Sequence, residues 1–196
     1  ESQKLSQALR GGSRKGVLEI VRSDPVLGRR FFALKLEELA RRRVEGKESR
    51  ELGQELKLLA EVYREEFGEV YLGEFLTTYL SWSPKEAQKK LQADEKWLKA
   101  RELYRRGRIS EAEEILRETL ATYRALHHTK GITATLLLLG QCEYKRKDFE
   151  VCEQLYTQAL EVARRAKYRT HHLRALSRLG AMYRRQGRAR EAERAY

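Results

Sequence analysis

Residues recur at an interval of 40 through the second half of the chain. Ala112, Cys152 and Ala192 form one column of small residues at that spacing, and Ala100, Gly140 and Gly180 form a second. Glu113, Glu153 and Glu193 are identical, and Leu116, Tyr156 and Tyr196 are all bulky. Leu120 pairs with Leu160, Tyr104 with Tyr144, and Gly107 with Gly187. Several independent columns agreeing on one interval mark an array of equal units, each a supersecondary element that buries its apolar face against its neighbours.

Within a unit the spacing is helical. Leu176, Leu179, Gly180 and Tyr183 share one helix face. Gln186-Gly187-Arg188 then reads as a helix stop with Gly just past the end, and a second helix carries Ala192 and Tyr196. In the first unit Ser110 with Glu113 three residues later reads as a capping box, and in the second Asp148 reads as the N-cap. Two prolines in 196 residues, among abundant Leu, Glu, Arg, Lys and Ala, extend the helical expectation to nearly the whole chain. Each unit is thus expected to be two antiparallel helices. The small columns mark where the two helices cross too closely for a large side chain.

This logic resembles the tetratricopeptide repeat. Leu176, Leu179, Gly180, Tyr183, Gly187, Ala192 and Tyr196 follow that family's pattern in order and spacing, and Leu136, Leu139, Gly140, Tyr156 and Ala159 follow it in the preceding unit. Glu143, Lys147 and Cys152 depart from it, standing where Tyr, Gly and Ala are usual. The earliest unit matches with Ala100, Leu103, Gly107, Ala112 and Leu116. The resemblance implies an all-α, right-handed α-solenoid of helix hairpins over residues 94–196, in units of about 94–133, 134–173 and 174–196. The long unit is similar to the subclass seen in kinesin light chains, polarity adaptors and bacterial regulatory proteins. The third unit stops at Tyr196 partway through its second helix, so the native protein is expected to continue into more repeats or another domain.

Residues 1–93 read as helices without the 40-residue period. Gly11-Gly12-Ser13 breaks a short opening helix from one near Lys15–Arg22. Asp24-Pro25 opens a helix expected to bury Leu27, Phe31 and Leu34. A long helix spans about Ser49–Phe67 and ends at Gly68; another covers Val70–Leu80; Ser83-Pro84-Lys85-Glu86 opens the next. This region is expected to be either an N-terminal cap or degenerate repeat, or a separate small bundle.

A hydrophobic share of 41% with 36% charged residues excludes collagen-like and disordered chains. No stretch reaches the roughly 18–20 apolar residues that span a bilayer. Cys142 and Cys152 form no secreted framework, which sets a reducing cytoplasm as the expected compartment; both read as buried, inert thiols. No metal-binding, phosphate-loop or nucleophile motif is present, so no cofactor and no catalysis are expected. His127-His128 and His171-His172 read as solvated or capping residues in the connections between units.

Charge points to the partner. Residues 164–196 hold 11 basic and 2 acidic side chains, +9 of a net +12. In tetratricopeptide arrays the first helix of each unit lines a concave groove. The resemblance therefore places Trp97, Arg101, Tyr104 and Arg105, then Gln141, Tyr144 and Lys145, then Arg174, Arg178, Arg184 and Arg185 on that surface. Arg174 and Arg178 occupy positions where chaperone-tail-binding members place two basic clamp residues, but Trp97, Arg101 and Leu138 replace the rest of the clamp. Guanidinium groups mixed with Tyr suit an acidic peptide or protein segment, from a partner or from the chain's own C-terminal domain. Nucleic-acid or anionic-surface binding through residues 164–196 is the alternative, weakened by the scarcity of stacking aromatics there.

Overall fold

The computed structural model describes residues 1–195; Tyr196, the third bulky residue of its column, lies outside the described residues. Eleven helices and no strands occur among the described residues. None is long and apolar enough to cross a membrane. The chain divides into two compact units, Glu1–Leu91 and Gln92–Tyr196.

The first unit contains α1 (Ser2–Arg10), α2 (Arg14–Ser23), α3 (Pro25–Val44), α4 (Arg50–Phe67), α5 (Tyr71–Ser81) and the start of α6 (Pro84–Arg105). Helix α4 packs against α1, α2, α3 and α5. Leu56, Leu59, Val62 and Tyr63 of α4 are buried in the middle of this bundle. Asp24 caps α3 by accepting from the Val26 and Leu27 N–H groups, with Pro25 in the first turn. Ser83 and Glu86 form a reciprocal capping box on α6. Leu34 departs from the expected core: it is 71% exposed, because Phe31, Phe32, Leu36 and Leu39 already fill the buried face of α3.

The second unit holds the rest of α6, then α7 (Ile109–Ala125), α8 (Thr129–Arg146), α9 (Phe149–Arg165), α10 (Arg169–Arg185) and α11 (Ala189–Ala195). Its turns are more regular than its sequence. A residue of positive φ stands every 20 positions: Gly107 (79°), His127 (50°), Lys147 (67°), Lys167 (51°) and Gly187 (73°). At each, the next residue's N–H donates five residues back, from Arg108, His128, Asp148, Tyr168 and Arg188 in turn, closing the helix with a Schellman-type bond. Lys147 therefore takes the left-handed geometry that Gly supplies at 107 and 187.

Packing explains the small columns. Ala100, Ala112, Cys152 and Ala159 are fully buried, and Ala192 nearly so. A methyl group on Gly140 would stand 2.4 Å from the Tyr156 ring, so α8 and α9 can approach this closely only with Gly there. The Ser110–Glu113 capping box does not form. Glu113 instead accepts from Arg117 and Arg146, and the Ser110 hydroxyl accepts from Arg146. Tyr123 donates to Asp94 across the α6–α7 hairpin at 2.6 Å.

Candidate partner-binding groove

Helices α6, α8 and α10 line two adjoining hollows of about 750 and 420 Å3, which share Tyr104, Gln141 and Arg178. Trp97, Arg101, Arg105 and Arg174 line the larger; Tyr144, Lys145 and Arg185 line the smaller. Arg184 lines neither. Sequence reasoning placed Leu138 at a clamp position of the groove but missed the rest of the floor. Leu137 lines it too, together with the exposed Leu173. His171 was missed too. It sits in the first turn of α10 rather than in a connection, and both it and His128 are buried, not solvated.

Among the described residues the lining carries six cations and no carboxylate. Elsewhere in this unit arginines pair with acids: Arg106 with Glu102, Arg117 and Arg146 with Glu113, Arg165 with Glu161, Arg188 with Glu153 and Glu191. Groove cations lie over aromatic rings instead. Arg101 stands 5.3 Å from the Trp97 ring, Lys145 5.1 Å from Tyr104 and Arg185 5.1 Å from Tyr144. Arg185 also donates to the Tyr144 hydroxyl at 3.4 Å. Among the described residues, Arg105 alone of the six approaches an acid, Glu102 at 3.9 Å. A ring face holds a cation in place without neutralising it, so these charges stay available to an anion.

Beneath the cations lie buried groups held in their neutral forms. Burial, helped by Arg174 and Lys130, drives His171 down to about 3, so its imidazole is neutral. Its Nδ1 and the Trp97 indole N–H are buried without hydrogen-bond partners among the described residues. Burial pushes the Cys142 and Cys152 thiols up to about 11, leaving both protonated. Behind the groove, burial and the neighbouring Glu113 raise Glu143 above the ordinary glutamate range. Burial also opposes ionisation of Glu113, but Arg117 and Arg146 outweigh it and hold Glu113 low. Among the described residues no cluster of three or more His, Cys, Asp or Glu could hold a metal.

A hollow of about 940 Å3 lies in the first unit between α4 and α5. Its charges are mixed: Arg50, Lys57 and Arg64 stand among Glu48, Glu61 and Glu74. It lacks the single sign of the α6–α8–α10 groove.

Two models described as tetratricopeptide repeat match the chain, one over residues 87–127 and one over residues 131–196. Together they cover more than half of it, and the chain belongs to the tetratricopeptide repeat family. Such repeats mediate protein–protein interaction and are in general non-catalytic scaffolds. No curated protein and no solved structure matched.

Proposed function

We propose that the α6–α8–α10 groove holds an acidic segment of a partner protein or of a neighbouring domain, making the chain the regulatory arm of a larger assembly. One observation carries this reading: six cations line the groove, three of them on aromatic rings, with no carboxylate in the lining among the described residues. Arg101, Arg174 and Arg178 would take carboxylates, and Leu137, Leu138 and Leu173 would take intervening apolar side chains. A preformed groove loses little conformational freedom on binding, which leaves more of the interaction energy as affinity. Arg178→Glu combined with Arg185→Glu should abolish capture of a dye-labelled peptide of mixed Glu and Leu while helicity by circular dichroism stays unchanged. Unaltered capture would remove the groove from the binding role.

Duplex binding has less support. Within residues 164–196, Arg165 and Arg188 are paired with glutamates, and Arg174, Arg178 and Arg185 line the groove, so the basic side chains do not form one free face.

A further inference from the structure

We infer that the smaller chamber, between Tyr104, Tyr144 and Arg178, is a phosphoryl site within the acidic-segment groove, so the bound segment carries a phosphorylated side chain there. This rests on the groove reading and adds the chemical class of one anchoring group. Lys145, Arg178 and Arg185 line a hollow of about 420 Å3 that contains no acid among the described residues. A single carboxylate carries one charge and would leave three cations under-neutralised. A phosphomonoester carries about −1.5 to −2 at neutral pH and offers three acceptor oxygens.

The donor set suits that group. Arg185 is steadied by the Tyr144 ring and hydroxyl, and Lys145 by the Tyr104 ring. Neither Lys145 nor Arg178 makes an ion pair among the described residues. A guanidinium supplies a planar fork of donors that fits a phosphate edge, and a lysine supplies a point charge. Gln141 donates its amide to the Leu137 carbonyl, which holds the chamber wall in place. The larger chamber differs in kind, because its leucine floor and spread arginines suit side chains rather than a compact dianion.

The test compares three dye-labelled peptides identical but for one central residue: phosphoserine, Glu or Ser. The phosphoserine peptide should bind about tenfold tighter than the Glu peptide, with the gap growing as pH rises through the phosphate's second pKa near 6. Arg185→Gln and Lys145→Gln should each shrink that ratio towards one, because each weakens the phosphoserine peptide more than the Glu peptide, which the larger chamber also holds. Displacement of the phosphopeptide by inorganic phosphate would assign the site to the phosphoryl group itself. Failure of inorganic phosphate to displace it, with the ratio intact, would assign it to phosphoryl presented on a peptide. Equal affinities for the phosphoserine and Glu peptides would overturn the phosphoryl site and leave the acidic-groove reading standing. No binding of any of the three would overturn both.

Discussion

The Lys145 ammonium lies 5.1 Å from the centre of the Tyr104 ring, and 40 residues further on the Arg185 guanidinium stands at the same distance from the Tyr144 ring. A cation on the first helix of one repeat thus rests on the tyrosine of the repeat before it. The pair recurs because the backbone recurs: both tyrosines precede a left-handed turn, at Gly107 and at Lys147. Replacing Tyr144 with Leu frees Arg185 from its platform. A cation–π contact at a partly exposed site contributes about 0.5–1 kcal/mol, so affinity for a Glu-rich peptide should fall about two- to five-fold with no loss of helicity. Fluorescence anisotropy reads the change.

Gly140 and Gly73 should respond in opposite directions to the same substitution. A Cβ at Gly140 meets the buried Tyr156 ring at 2.4 Å, whereas a Cβ at Gly73 in α5 meets nothing within 4 Å. Gly140→Ala should destabilise the fold by about 1–3 kcal/mol through overpacking. Gly73→Ala should stabilise it by about 0.5–1 kcal/mol, because the helix gains propensity without a clash. Urea unfolding of the two variants decides the matter.

Lys147 holds a left-handed backbone at a position where its two counterparts are glycine. A residue with a Cβ costs about 1–2 kcal/mol in that conformation. Lys147→Gly should therefore stabilise the array by about 1 kcal/mol, and Gly187→Lys should weaken the third repeat by a similar amount. Paired thermal melts check both.

These positions show what the sequence displays and what it hides. The hairpin order could be read because Ala100, Gly140 and Gly180 must be small wherever two helices cross, whatever surrounds them. The αL turns at His127 and Lys167 could not be read, because no glycine marks them, whereas Lys147 falls in the column of Gly107 and Gly187, where the family usually has Gly. The groove cations were visible through family spacing, as Arg174 and Arg178 illustrate. Of the leucine floor only Leu138 was visible, through the same family spacing; Leu137 lies in a run from Leu136 to Leu139 in which wall and core residues look alike. Glu113 misled for another reason: its spacing from Ser110 fits a capping box, but Arg117 and Arg146 offer its carboxylate stronger partners.

His171 should make the fold acid-sensitive. Its folded value is about 3, against an ordinary 6.5. Between those values the unfolded chain binds a proton that the folded chain refuses. The stabilisation is full above pH 6.5 and shrinks as pH falls towards 3. From pH 6.5 to 5 the loss is about 2 kcal/mol. In His171→Phe that part of the acid dependence should vanish, so the gap between wild type and variant in urea unfolding should change by about this amount over the same interval.

The cationic groove is tested most directly by titrating the protein, at several salt concentrations, with a Glu-rich peptide and with its isosteric Gln counterpart. Binding of the Glu peptide alone, weakening steadily as salt rises and lost in the Arg178→Glu, Arg185→Glu protein, is the expected result. Equal affinity for both peptides, indifferent to salt, would contradict it.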